Sequence, residues 1–435
     1  MLTLRGLLLL LVAAPLLAIG TWVPTFEWLG LVYFVVCLAI FWIDRQMAGG
    51  LARFEVERQH DNRLSLGAEN AIRIRLFNRA GLPAVFWVRD EAPERFTIDS
   101  HTLAGNTGPR GSWEGLYHVR PLRRGDYRFG DVNLRWRGPL GLVIRQGTVP
   151  LAGPAKVYPN LLDIRRYDLL LRQNRLQEMG LRHARMFGEG TEFERLREYL
   201  PDDEFRRIDW KATARRNRPI TVEYQTERSQ NVFIVVDTGR MMQSPVAQIA
   251  KLDYVINAAL LLTYVATGKG DKIGLLTFGD TIATYLSPRQ GRGQFYRMLE
   301  LLYRVEPQPV EPDYRLAFSY LAVKQRKRSL VVIFTDISGG FGVEALVGNI
   351  ATIRRTSLPL VVTISDPEIH AAAGQTPTDS LSAYQQSAAA RLLEERKLAL
   401  DTLRRSGVLA MDVPANALSL AVINQYLTLK GKMLL

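Results

Sequence analysis

Cysteine is almost missing from this chain: Cys37 is the single one among 435 residues, and it lies inside an apolar run. One thiol builds neither an intrachain disulfide framework nor a cysteine-based zinc site, so the fold must hold by packing, and the composition suits a reducing compartment. Paired histidines are missing too. His60, His101 and His118 are isolated, and no His-x-x-x-His spacing occurs. There is no G-x-x-x-x-G-K-[ST] phosphate loop and no nucleophile elbow. Long basic runs are also lacking. Lys and Arg number 56 against 43 Asp and Glu, a net charge of +13. The excess is dispersed in pairs such as Arg123-Arg124, Arg165-Arg166 and Arg354-Arg355, without interleaved aromatics. That pattern speaks against a nucleic-acid stacking platform and for a mildly basic face near an anionic leaflet.

What is present begins with two uncharged runs, Gly6 to Val23 and Trp28 to Ile43, broken by Pro24-Thr25-Phe26-Glu27. A bilayer core needs about 20 apolar residues per helix, and each run reaches that length when Trp22, Trp28 and Trp42 sit among the headgroups. The reading is a transmembrane helical hairpin over residues 1–45. A cleaved signal peptide is the competing reading of the first run. Arg5 before the first run and Arg45, Arg53, Arg58 and Arg63 after the second keep the bulk of the chain on the cytosolic side of the inner membrane in either case.

From residue 54 to about 150 the period becomes two, clearest in Ala71-Ile-Arg-Ile-Arg-Leu-Phe-Asn78. Alternation with turn signals between the runs implies short half-buried strands and a small β-sandwich-like domain. Residues 151–230 form a connector, with a helix expected over Asp163 to Gln177, followed by a segment dense in charge of both signs. The last region, 231–435, changes pattern again. Val232 to Val236, Leu330 to Phe334 and Leu360 to Ile364 are continuous apolar runs separated by helical segments. Such runs are strands buried on both faces, and their alternation with helices implies a doubly wound α/β domain with a parallel sheet. Ligands of such sheets sit beyond the carboxyl ends of the strands, where Asp237, Asp336 and Asp366 fall. The loop from Pro367 to Ser382, which carries His370, reads as mobile.

Two stretches carry a resemblance. Gly188-Glu-Gly-Thr-Glu-Phe-Glu-Arg-Leu-Arg-Glu-Tyr199 continues into Pro201-Asp-Asp-Glu-Phe-Arg-Arg-Ile-Asp-Trp-Lys-Ala-Thr-Ala-Arg215, and a strand later ends in Val236-Asp237-Thr-Gly-Arg-Met241. Together they resemble the bacterial domain-of-unknown-function 58 family, whose C-terminal domain is von Willebrand factor A-like. Asp202 stands where that family usually has Gly. The resemblance implies a MoxR-type AAA+ ATPase as partner, with a role in assembly or maturation of other proteins.

The same resemblance raises the question of a metal. Von Willebrand A domains often hold Mg²⁺ through Asp-x-Ser-x-Ser, a Thr and a later Asp. Here Asp237 and Asp336 match the two acids, but Gly239 and Met241 replace both serines. The result is a degenerate Mg site completed by Thr238, Thr335 or water, or else an Asp237 that caps a helix or pairs with Arg240. In the charged segment, Glu192, Arg197, Asp203, Arg206, Asp209, Trp210 and Arg215 form a candidate binding surface, with an internal ion-pair network as the structural alternative. The Glu192–Arg195 and Glu194–Arg197 spacings suit a helix face. The expectation is a non-catalytic, membrane-anchored adaptor; the alternative is a metal-dependent hydrolase at the carboxyl edge of the sheet.

Overall fold

The first apolar run folds as two short helices, α1 (Leu4–Leu11) and α2 (Ala13–Gly20), and the second as one long helix, α3 (Pro24–Met47). Pro15 has no N–H to bond the Leu11 carbonyl, and the helix is interrupted just before it. In this computed structural model, residues 1–160, 192–200, 203, 205, 208–225, 229–337 and 343–432 are described. Among them, α3 is the one helix long and apolar enough to cross a membrane, with a mean hydropathy of 2.2. The first run, Leu4–Ile19, is apolar but shorter, so of the expected pair one helix has the length and composition of a full span.

The chain divides into two compact units, Met1–Tyr158 and Pro159–Leu435. In the first, α2 lies against α3 closely enough that a Cβ on Gly30 would come within 2.8 Å of Leu17. Eleven strands follow: β1 (Phe54–Gln59), β2 (Arg63–Ser65), β3 (Asn70–Asn78), β4 (Ala84–Asp90), β5 (Phe96–Ile98), β6 (Leu103–Thr107), β7 (Ser112–Pro121), β8 (Gly125–Phe129), β9 (Val132–Arg137), β10 (Ile144–Val149) and β11 (Gly153–Tyr158). They form sheets ordered β1-β3-β7-β5, β10-β9-β4-β6 and β2-β11-β8. Strand β3 shows why: Ile72, Ile74 and Leu76 are buried while Arg73 and Arg75 face out. Phe54 of the first sheet meets Phe86 and Trp136 of the second edge-on, at 6.1 and 5.4 Å between ring centroids. The β-rich region runs past residue 150, because β11 pairs with both β2 and β8.

The helical pair is tied to this unit at both ends. The Met1 amine donates to the Ile144 carbonyl at 2.9 Å, and the Thr3 amide to Leu142 at 2.8 Å. From the other end, the fully buried Asp44 carboxylate accepts the amides of Leu140, Leu142 and Val143 at 2.8–2.9 Å.

The second unit opens with β12 (Glu192–Glu198), α4 (Trp210–Arg216) and β13 (Ile220–Gln225). The expected connector helix at 163–177 lies outside the described residues. Then come β14 (Asn231–Asp237), the short pair β15 (Pro245–Val246) and β16 (Ile249–Ala250), α5 (Lys251–Gly268), β17 (Lys272–Phe278), β18 (Ile282–Arg289), α6 (Arg292–Tyr303) and α7 (Tyr314–Lys324). The chain ends with β19 (Leu330–Phe334), α8 (Val343–Arg354), β20 (Leu358–Ser365), α9 (Pro367–Gly374), α10 (Ser380–Arg405), β21 (Leu409–Pro414) and α11 (Leu418–Gly431).

Six strands make one sheet, ordered β18-β17-β14-β19-β20-β21, parallel except for the antiparallel edge strand β18. Val232 to Val236 are fully buried, as a central strand covered on both faces requires. Strand order reverses between β14 and β19, so their carboxyl ends flank the crevice where such sheets bind ligands. The stretch after Asp366 is not a loop. Asp366 caps α9 by accepting the Glu368 amide at 2.9 Å, with Pro367 in the first turn, and His370 rides on that helix.

Candidate functional site

At the carboxyl edge, Asp237 ends β14 and is almost fully buried. Its Oδ2 accepts from the Thr335 hydroxyl at 2.6 Å and from the Tyr314 hydroxyl at 3.4 Å, and its Oδ1 accepts the Gly239 amide at 2.7 Å. Burial raises its pKa to about 6, although those hydrogen bonds pull the other way. Burial likewise pushes the Tyr314 hydroxyl up. The Thr238 hydroxyl donates to the Phe278 carbonyl at 2.8 Å. Arg240 does not pair with Asp237; its Nε reaches Glu311 at 2.5 Å on the surface.

Asp336 follows β19 and meets two cations. Its Oδ2 lies 2.5 Å from the Lys251 ammonium, and its Oδ1 accepts from the Arg396 guanidinium at 2.9 Å. Arg396 also reaches Asp412 at 2.7 Å and the Ile364 carbonyl at 2.6 Å, and Asp412 accepts from Thr363 at 2.8 Å. Burial alone would lower the Arg396 guanidinium, but Asp412 and Asp336 outweigh it and hold it above its ordinary value. The four charged groups form a balanced network of two acids and two bases. This donor set does not suit a hard divalent ion. The two hydroxyl positions hold Gly239 and Met241, Asp237 is engaged by neutral donors, and both Asp336 oxygens already face positive charge. Among the described residues, no group of three or more His, Cys, Asp or Glu could hold a metal. The crevice lined by Lys251, Asp366, His370 and Arg396 measures about 30 Å³, roughly the share of one water.

The charged segment is built on a strand, not a helix. β12 pairs antiparallel with β13, and the register shifts between Phe193 and Arg195, a bulge that passes over Glu194. Glu192 begins this strand opposite Gln225. Arg197 grips Asp203 with both guanidinium nitrogens, at 2.7 and 2.5 Å, and Asp203 also accepts the Leu200 amide at 2.8 Å, closing the turn. Asp209 is the N-cap of α4, accepting the Lys211 and Ala212 amides at 3.0 Å each. The Asp209 amide donates to the Ile220 carbonyl at 2.9 Å, which ties the helix start to β13. Arg206 and Asp202 lie outside the described residues. Trp210 is 61% exposed and Phe205 69% exposed, with their rings edge-to-face at 5.5 Å. Arg215 lies exposed in the last turn of α4.

Sequence reasoning thus found Asp237 and Asp336 but missed Lys251, Arg396 and Asp412. A signal existed for Arg396: it falls on the buried stripe Ala389, Arg396, Ala399, Leu400, Leu403 of α10, where a charge requires a partner.

Residues 195–370 match the family model described as "Protein of unknown function DUF58". The match runs from within β12, across the carboxyl edge at Asp237 and Asp336, into α9. The uncharacterized protein Rv1480 of Mycobacterium tuberculosis is 30% identical over 154 residues, covering 35% of this chain and 49% of that protein. The chain therefore spans about half the length of such mycobacterial relatives. The uncharacterized protein YeaD of Bacillus subtilis is 24% identical over 296 residues, 66% of this chain and 71% of that protein. Among solved structures, the conserved hypothetical protein BatB from Bacteroides thetaiotaomicron aligns with 47% of this chain and 100% of its own, at 14% identity and a TM-score of 0.31.

Proposed function

We propose that the protein is a membrane-anchored, cytosol-facing adaptor that works with a MoxR-type AAA+ ATPase in assembly or maturation of other proteins. In this reading α1 and α2 run out and α3 returns as a hairpin, and the α/β unit is a von Willebrand factor A-like domain. The hairpin is supported by its ends. Met1 to Thr3 and Asp44 bond to the same stretch, residues 140–144, so the two termini of the helical pair lie on one side. Arg5, Arg45 and Arg53 on that side support reading it as the inner one. The A-like assignment is supported by the parallel sheet, its antiparallel edge strand and the acids at the carboxyl ends. The ATPase partner rests on the family resemblance.

One observation carries the adaptor reading over the hydrolase. An exposed aromatic pair, Phe205 and Trp210, stands on a mount fixed by the Arg197–Asp203 pair and the Asp209 cap, while the acids at the sheet edge are engaged internally. Large aromatics carry much of the energy of protein interfaces. The test is co-purification of the full-length chain from detergent-solubilised membranes. An ATPase of this class should be recovered with the native chain and lost with Trp210→Ala, and clean preparations lacking any such ATPase would count against the proposal.

A further inference from the structure

We propose that the Lys251 ammonium is a built-in cation standing where a divalent ion would otherwise bridge the carboxyl edge of the sheet, so that this edge keeps its shape without bound metal. The inference rests on the A-like reading of the α/β unit and not on the adaptor role. It starts from placement. Lys251 is the first residue of α5, delivered there by the tight β15–β16 turn and held by its own amide, which donates to the Ser244 carbonyl at 3.0 Å. Its side chain is 5% exposed and that of Asp336 is 1% exposed, so the pair is sealed from water. A buried ammonium is costly unless a carboxylate faces it, and a buried carboxylate costs as much without a cation. Each meets that need for the other.

A divalent ion reaching Asp336 would lie beside the Lys251 ammonium and the Arg396 guanidinium, and in a low-dielectric edge that repulsion opposes binding. It would also find few ligands. Asp237 is bonded to Gly239, Thr335 and Tyr314, and the Thr238 hydroxyl donates to a backbone carbonyl. Gly239 and Met241 offer no side-chain oxygen to a metal, while Lys251 supplies a covalently attached positive charge at the same edge. Asp412 completes the balance by taking the remaining face of Arg396.

The experiment uses the full chain in detergent, stripped with EDTA and titrated with Mn²⁺, with free Mn²⁺ read by electron paramagnetic resonance. The native chain should take up no Mn²⁺ below millimolar concentration, and its melting temperature should be the same in EDTA, Mg²⁺ and Mn²⁺. Lys251→Ala uncovers Asp336 and should bind one Mn²⁺ at least tenfold tighter than the native chain, with a rise in melting temperature on Mn²⁺ addition. Adding Asp336→Asn should abolish both effects. Mn²⁺ uptake by the native chain that disappears in Asp336→Asn overturns the proposal, as does a folded Lys251→Ala that stays indifferent to Mn²⁺. Should Lys251→Ala fold only with Mn²⁺ present, the proposal stands. Should it fail in both conditions, Lys251→Arg decides: a folded, metal-indifferent variant supports the built-in charge, and one that needs Mn²⁺ to fold contradicts it.

Discussion

Asp237 is held in a state that a free aspartate does not prefer, and this has a measurable consequence. Burial lifts it from 3.8 to about 6, so the folded chain binds a proton that the unfolded chain has released. The resulting stability is fully present below pH 3.8, and it is lost as pH rises through about 6. The shift of about two units corresponds to roughly 3 kcal/mol. Asp237→Asn should remove this slope, so the difference between native and variant denaturation midpoints should change between about pH 4 and 6 and level off above about pH 7. A second residue, Arg396, bridges the buried Asp336 and the half-buried Asp412, and Arg396→Ala leaves Asp336 without one of its partners. Breaking such a pair costs about 3–5 kcal/mol, which urea denaturation should register. At this scale the sequence was half legible. Carboxylates at strand ends are announced by the apolar runs before them. Their partners come from elements 60 and 85 residues away, and no local pattern encodes such pairings.

On the proposed reading, anchoring depends on the junction of α3 with the strands that follow it. Asp44 satisfies three backbone amides that no strand pairs, and a Cβ on Gly138 would come within 2.3 Å of its carboxylate. Unsatisfied buried donors cost about 1–3 kcal/mol each. Asp44→Ala and Gly138→Ala should therefore both loosen the junction, lowering the melting temperature of the first unit and speeding proteolysis near residue 140, while Arg45→Ala should not. Elements with strong periodicity were legible: β3, β14 and β19 follow from alternation or unbroken apolar runs. Two elements were misread. The three-residue spacings Glu192–Arg195 and Glu194–Arg197 suggested a helix face where β12 pairs with β13, and the small-residue run after Asp366 read as a loop although its Asp-Pro pair is a helix start.

For the whole molecule, the proposed reading requires that the chain after the membrane anchor face the cytosol. A C-terminal reporter that works only in the cytosol should be active, and one that works only outside should be silent; the reverse pattern would remove the adaptor's access to a cytosolic ATPase. The central claim concerns what the exposed aromatic pair engages. The most direct measurement is recovery of a MoxR-type ATPase with the native chain, compared with Phe205→Ala and Trp210→Ala chains purified alongside. Both rings are exposed, so the variants should melt as the native chain does. The account predicts an ATPase bound to the native chain and at least tenfold less on either variant. Equal recovery on all three, or none on the native chain, would contradict it.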